Sequence, residues 1–275
     1  MNSQPDVTRY RLGFIGAGKL AGSVIRGLAR AEVCPANEII ASEPDEQTRL
    51  SLKQDVNINL TAENAEAAEK AAVVVIGVKP AVVLPVLREL SAYLENKLVI
   101  SLAAGVRLKS MEATANARFL RALTNTPSAI GRAATAFARG RRVTPEDIDV
   151  TEKIFSAIGV LVEVEEEQID AVTALAGSGP AFVYTIIEAL AEGGEKMGLT
   201  HTTALKLATQ TVLGAAQLAL ETKKTPQELI QMVVTPGGTT AAGLDAMQKF
   251  RTREGLMAAV EAATKRGREM ARENL

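Results

Sequence analysis

The sequence has one cysteine, one histidine, no tryptophan and an aromatic content of only 3% in 275 residues. With Cys34 alone no intrachain disulfide can form, a composition suited to a reducing compartment. One His and one Cys leave too little material for a Cys/His metal site or a His-based triad, so no metal is expected. Scarce aromatics disfavour the stacking platforms that bind single-stranded nucleic acid. Charge of neither sign dominates: 31 basic residues stand against 32 acidic ones. The chain therefore exerts no global pull on nucleic acid or an anionic membrane. Long apolar runs are also missing; the run at residues 71–78 falls far short of the roughly 20 residues of a membrane span. The first ten residues are polar and lack the apolar core of a signal peptide. No membrane or nucleic-acid partner is expected, and the cytoplasm is the default location.

What is present is an ordinary globular balance, 47% hydrophobic and 23% charged. At about 150 residues per domain the length suits two domains. Short β-rich runs at residues 11–15, 38–42, 60–61, 72–77 and 97–102 alternate with helical patterns at 19–31, from 46, and at 62–71. The runs at 72–77 and 97–102 show no polar alternation, as expected of strands buried on both faces. Further strands are predicted at 118–124, 134–138 and 160–164, with a helix capped by Thr144 running to about residue 158. This alternation implies a doubly wound parallel sheet.

After residue 165 no strand-like run occurs. Helices are predicted at 168–176, 180–197, 202–221, 226–233, 240–250 and 253–273, with Thr225 to Glu228 as a capping box and Gly198 as a stop. The expected organisation is an α/β domain over residues 1–165 and an all-helical domain over 166–275. The helical part is rich in Ala and Gly and makes a thin core by itself. A homodimer formed through it, open to assembly into a larger homo-oligomer, would complete that core; packing of the helices on the first domain is the alternative.

The strongest local signal is Gly16-x-Gly18-x-x-Ala21, set between an apolar strand and an amphipathic helix. It matches the dinucleotide-binding fingerprint of a Rossmann-type fold. Gly16 permits the tight turn, Gly18 lets a pyrophosphate approach the backbone at the helix N-terminus, and Ala21 allows close packing. Ala17, Lys19 and Leu20 complete the turn. The end of the second strand, about 20 residues on, should select the cofactor. Glu43 there suits a ribose hydroxyl, as in NAD, and repels a 2′-phosphate; Ser42 tolerates one; Arg49 either assists a phosphate or is a solvated helix residue. NAD and NADP both remain open.

Val78, Lys79 and Pro80 follow a central strand and lie where a loop covers the cofactor crevice, with Lys79 either a cation for phosphate or ribose or a surface residue at the strand end. Ala103, Ala104 and Gly105 follow the fifth strand and leave room for a nicotinamide ring. Asn125, Thr126 and Pro127 either shape the same crevice or form a turn. In the helical part, residues 177–181 break one helix and start another, with Ser178 either lining a site or capping. Residues 235–240, with Gly237, Gly238, Thr239 and Thr240 at a helix start, form either a natural nest for a carboxylate or a structural cap. His201 reads as a cap or surface residue, Cys34 as an inert loop residue, and Met247 and Met257 as core.

Taken together, GFIGAGKLAGS (13–23), GVKP (77–80), LAAGV (102–106), TNTPSAIG (124–131), AGSGPAFVY (176–184) and VVTPGGTTAAGL (233–244) resemble the pyrroline-5-carboxylate reductase family. They occur in the family's order and cover most of the chain. The family's usual Ser before Pro236 is Thr235 here, which keeps the hydroxyl. The resemblance implies NAD(P)H-dependent reduction of the C=N bond of 1-pyrroline-5-carboxylate to L-proline, the last step of proline synthesis. It places Gly16 to Ala21 on the pyrophosphate, Asn64 and Val78 to Pro80 on the adenosine or ribose side, and Leu102 to Ala104 beside the nicotinamide. It places Gly237 to Thr240 on the substrate carboxylate and ring nitrogen, with Thr240 and Glu166 as candidate catalytic residues. It also implies NADPH as the usual donor, with a hydroxyl or basic residue after the second strand; Glu43 departs from that pattern. The absences fit such chemistry: a protonated imine is already electrophilic, so the protein's task is positioning and proton supply. Two other readings are weighed. A β-hydroxyacid dehydrogenase-like oxidoreductase needs a Lys base early in the helical domain, where only Lys196 stands, at the far end of its helix. A non-catalytic dinucleotide sensor would bind cofactor without turnover.

Overall fold

The computed structural model describes residues 10–33 and 35–273. Cys34 and the polar N-terminal residues preceding Tyr10 lie outside the described residues. The chain forms two compact units: one holds the residues up to Ser178 and those from Glu261 on, the other Gly179–Val260.

The first unit is built on β1 (Tyr10–Ile15), α1 (Lys19–Arg30), β2 (Ile39–Ser42), α2 (Glu46–Asp55), β3 (Asn59–Thr61), α3 (Asn64–Lys70), β4 (Ala71–Ile76), α4 (Pro80–Glu89), β5 (Leu98–Ser101), α5 (Leu108–Thr114), β6 (Arg118–Leu123), β7 (Ala133–Arg139), α6 (Pro145–Ser156) and β8 (Gly159–Glu163). The strands form one eight-stranded sheet in the order β3-β2-β1-β4-β5-β6-β7-β8. All neighbours are parallel except β6 and β7. The expected parallel sheet therefore carries one reversal. A single turn of 3-10 helix, Thr126–Ile130, joins β6 to β7, too short a link for the crossover that parallel neighbours need.

Helices cover both faces. Val24, Ile25 and Leu28 of α1, Leu52 of α2, and Ile154 and Phe155 of α6 share one buried cluster with Phe14 and Leu120. Ala67 of α3, Val83 and Leu87 of α4, and Met111 of α5 share the other with Ile15 and Phe119. Phe119 and Leu120 are adjacent in β6 and enter opposite clusters, as the two-residue period of a strand requires. This double burial is why 72–77 and 97–102 read as unbroken apolar runs. α6 starts on the N-cap anticipated at Thr144, and the structure adds Asp147 as the reciprocal partner of a capping box.

After β8 come α7 (Ile169–Val172) and a π-helical turn, Thr173–Gly177. Residues 177–181 do not break the helix as the glycines and proline suggested. Ser178 keeps right-handed helical angles, and its N–H reaches the Thr173 carbonyl at 2.9 Å. The chain absorbs an extra residue as a π-bulge and continues into α8 (Gly179–Lys196). The compact units also divide differently from the composition. Ile169 and Ala174 are fully buried, Ile169 within a core cluster of the sheet, so residues 166–178 pack with the α/β unit.

The second unit contains α8, α9 (His201–Glu221), α10 (Pro226–Val233), α11 (Thr239–Lys249) and the start of α12 (Thr252–Glu273). Gly198 takes φ +100° between α8 and α9, and Thr225 with Glu228 closes the capping box of α10. Its buried cluster is small: Ala191, Ala204 and Ala208, with Ile187 against them. Met247 and Met257, expected as core, are half exposed, because the thin helices around them provide nothing large enough to cover a methionine in one copy of the chain. The helical stretch Glu166–Lys196 is long and apolar enough, by length and composition alone, to cross a membrane. Glu, Asp, Thr and Ser punctuate this stretch, so it contains no long uninterrupted apolar run.

Candidate active site

The sheet reverses its winding between β1 and β4, and the loops that leave these strands flank the switch point where ligands bind in open α/β sheets. Backbone hydrogen bonds stitch the loops to the strand ends: Gly16 N–H to Ser42, Gly77 N–H to Ile15 and Leu102 N–H to Ile76, at 2.8–2.9 Å. Gly16 has φ +86°, and a Cβ there would lie 2.9 Å from Val78 Cγ1. Gly18 is the N-cap of α1, with no side chain capping it, and a Cβ there would meet nothing within 4 Å. The turn is therefore closed beneath and open above, with the first N–H groups of α1 free to receive an anion. Ala21 is fully buried, against Gly77. These features fit a dinucleotide pyrophosphate.

A cleft of about 610 Å³ opens from this turn. Gly18, Lys19 and Leu20 line it together with Gly77, Val78, Lys79 and Pro80 of the β4 loop and Leu102, Ala103 and Ala104 of the β5 loop. Three groups of candidates, distant in sequence, thus share one wall system. Lys79 is exposed and caps α4 through its backbone, with Pro80 in the first turn. Ala103 is buried at the small-residue side. The cleft also recruits Thr124, Asn125, Thr126, Thr173 and Gly177. Thr173 and Gly177 were not singled out from sequence; the π-bulge that brings them in leaves only the local Gly-Ser-Gly-Pro as a signal. Asn125 proves to be a brace: its Nδ2 donates to the Ala176 carbonyl at 3.1 Å, and its Oδ1 accepts the Ala134 N–H at 3.1 Å. It thereby ties the bulge, whose helical pairing is irregular, to the start of β7. Ser178 follows Gly177 directly and does not line the cleft.

At the β2 end the two candidate selectors face different ways. The Ser42 hydroxyl is buried and lies 2.8 Å from Asn64 Oδ1 and 3.2 Å from the Phe14 carbonyl. Asn64 is thereby joined to the strand end. Glu43 turns toward the glycine turn: Oε2 accepts the Ala17 N–H at 3.0 Å and Oε1 the Asp45 N–H at 3.2 Å. Arg49 donates to the carbonyls of Glu43 and Pro44.

Glu166 occupies a different place. Its Oε1 accepts the Leu108 N–H at 2.7 Å and an Arg121 Nη1 hydrogen at 3.0 Å. Beside it Arg107 pairs with the buried Asp170 at 2.7 Å. Arg121 is fully buried, and burial pulls its guanidinium below its ordinary pKa against the opposing pull of Glu166. Glu166 does not line the cleft; it fastens the start of α5 and neutralises a buried cation.

In the helical unit Gly237 has φ +71°, and Gly238 is the N-cap of α11 with no side chain capping it. The Gly238 N–H bonds to the Thr235 carbonyl at 2.9 Å, which folds the loop under the helix start. Thr239 is exposed and Thr240 partly buried, each on the first turn. An open helix N-terminus with two hydroxyls suits a small carboxylate. His201 is exposed and reaches Glu195, while Thr200 supplies the cap of α9. Among the described residues no group of His, Cys, Asp and Glu could hold a metal ion.

Two family models match the chain. One, described as pyrroline-5-carboxylate reductase dimerisation, covers residues 166–270; the other, NADP oxidoreductase coenzyme F420-dependent, covers residues 11–105. A pyrroline-5-carboxylate reductase of Pisum sativum is 41% identical over 263 residues, covering 95% of this chain and 96% of that one. Among solved structures, a pyrroline-5-carboxylate reductase from Coxiella burnetii has a TM-score of 0.86 at 36% identity, covering 96% of this chain and 99% of that one. The Plasmodium falciparum pyrroline carboxylate reductase with NADP bound has a TM-score of 0.88 at 28% identity, with the same coverage. The resemblance carried by the glycine turn, the GVKP loop and the threonine-rich helix start thus extends along nearly the whole of both chains, and this chain belongs to the pyrroline-5-carboxylate reductase family of NAD(P)H-dependent oxidoreductases.

Proposed function

We infer that this chain reduces the C=N bond of 1-pyrroline-5-carboxylate to give L-proline, closing proline synthesis. The observation that carries this reading is the similarity to pyrroline-5-carboxylate reductases over 95% of the chain. The nicotinamide cofactor, when bound, supplies the hydride that reaches the imine carbon, and the ring nitrogen ends with a proton.

The remaining work belongs to the protein. Gly16 to Ala21 hold the pyrophosphate on the open start of α1. Glu43, Asn64, Val78, Lys79 and Pro80 serve the adenosine and ribose side. Ala103 and Ala104 keep the nicotinamide side free of bulk. Gly237, Gly238, Thr239 and Thr240 take the substrate carboxylate, Thr240 orienting the ring nitrogen, with Ser178 as a further substrate contact. Glu166 Oε1 already has duties: it accepts both the Leu108 N–H and an Arg121 hydrogen, which favours a fastening role, so we assign the proton to solvent. Orientation and water exclusion, rather than a strong acid, are what a protonated imine needs. We further propose that the chain works as a homodimer through its helical region and resides in the cytoplasm. The first reading rests on the exposed apolar helices and the matched dimerisation model; the second rests on the low cysteine content.

A steady-state assay with 1-pyrroline-5-carboxylate and each reduced cofactor tests the activity. Oxidation of at least one cofactor is expected; oxidation of neither overturns the reading. Thr240→Ala should lower kcat at least tenfold, about 1.4 kcal/mol of transition-state stabilisation, with dinucleotide affinity unchanged. An unchanged kcat would remove Thr240 from its role.

A further inference from the structure

We propose that Glu43 makes this chain select NADH over NADPH. The inference rests on the dinucleotide reading of the cleft and deepens it. Three observations at the β2 end support it.

The carboxylate is the group that the strand end presents to the cofactor turn. Its Oε2 accepts the Ala17 N–H inside the glycine turn, and its Oε1 accepts the Asp45 N–H, so the side chain is held beside the turn rather than splayed into solvent. A carboxylate so placed receives the hydroxyl protons of an adenosine ribose and meets a 2′-phosphate as like charge. Ser42, the residue that would have welcomed a phosphate, is buried and engaged with Asn64 and the Phe14 carbonyl.

Two receivers that a 2′-phosphate could use at the strand end are already committed. The nearby helix start that could take an anion is that of α2, and the Asp45 carboxylate already fills it, accepting the Thr48 N–H at 2.7 Å and the Thr48 hydroxyl at 2.6 Å. The Thr48 hydrogen bonds hold that carboxyl below its ordinary pKa, so it stays charged at neutral pH. Glu46 adds another acid in the first turn of α2. The neighbouring cation, Arg49, is folded back onto the carbonyls of Glu43 and Pro44. Farther along, Arg26 is paired with Asp55 at 2.7 Å. The strand end and the start of α2 thus carry three acids, Glu43, Asp45 and Glu46, while Arg49 and Arg26 are both engaged elsewhere.

The test is calorimetric titration of the full-length protein with NADH and with NADPH in the absence of imine, on the natural sequence, Glu43→Gln and Glu43→Ser. The expected result is at least tenfold tighter binding of NADH to the natural chain. Glu43→Gln keeps an oxygen for the Ala17 N–H and removes the charge, so it should gain NADPH affinity while losing little NADH affinity. Glu43→Ser should close or invert the ratio. Equal or tighter binding of NADPH by the natural chain would overturn the proposal and leave the family activity standing. Failure of both nucleotides to bind would overturn the proposal together with the dinucleotide reading beneath it. A ratio unmoved by both substitutions would also sink it, since the selection would then lie elsewhere.

Discussion

The two units of this chain solve the burial problem in opposite ways. The sheet-bearing unit places large side chains such as Phe14, Phe119, Phe137 and Phe155 in full burial on both faces of eight strands. The helical unit buries three alanines and leaves Met197, Leu220 and Phe250 about four-fifths exposed. Both halves are apolar enough to drive collapse; the difference is geometric. A sheet with helices on both faces encloses its core within one copy, whereas thin Ala-rich helices approach closely and push their larger residues outward. An apolar surface of that extent marks an interaction site. The lesson is that the first unit closes its core within one copy, whereas the second, which a dimerisation model matches, leaves its larger apolar side chains uncovered in one copy.

Three experiments can break or sharpen that contrast. The largest effect is expected from Leu213→Glu combined with Leu220→Glu, two exposed leucines on α9. In a symmetric dimer four side chains at about 2 kcal/mol each amount to a loss on the order of 8 kcal/mol. Sedimentation velocity should show a monomer; a surviving dimer would locate the interface elsewhere and end the comparison as drawn. Phe119→Ala, in the sheet, should cost about 4 kcal/mol in denaturant unfolding yet leave the assembly state unchanged. Loss of assembly in that variant would mean that the two units are not separately stabilised.

The smallest effect concerns a charge pair of the sheet-bearing unit. Asp147 is nearly buried and joined to Arg118 through both oxygens, at 2.6 and 2.9 Å. Burial pushes the Asp147 pKa up, but the Arg118 and Thr144 hydrogen bonds outweigh it and leave the group below its ordinary value. A carboxyl with a depressed native pKa contributes stability that is present above its unfolded pKa and is lost as pH falls through the native one. Asp147→Asn should therefore cost about 2 kcal/mol at pH 7, and the gap from the natural chain should narrow as pH falls below the ordinary Asp value of 3.8. A gap that does not change with pH would show that packing, not charge, is what the pair contributes.

Much of the site could be read from residues because its pieces are local. Gly16, Gly18 and Ala21 carry a spacing whose meaning depends on the strand before and the helix after, and both were evident from apolar periodicity. The helix caps at Thr144 and Thr225 were equally local, since each closes within four residues. The bonds of Glu166 were hidden for the opposite reason: its partners, Leu108 and Arg121, are far away in sequence and meet it only through the fold. Asn125 could be noticed at a strand end, but its brace to Ala176 depends on a π-bulge that no periodicity announces. The exposure of Met247 and Met257 is also invisible to pattern, because a methionine at helical spacing looks the same whether its cover comes from its own chain or from another.

By itself the sequence determined the alternation of strands and helices, the glycine turn for a dinucleotide and the helical character of everything after residue 165. These rest on interactions within a few residues, where side-chain type and spacing suffice. Tertiary structure decided that β7 runs against β6, that Ser42 turns inward while Glu43 turns toward the glycine turn, and that residues 166–178 pack with the sheet-bearing unit. Those outcomes depend on which distant surfaces exclude water together, and burial is a property of the folded chain rather than of any one segment.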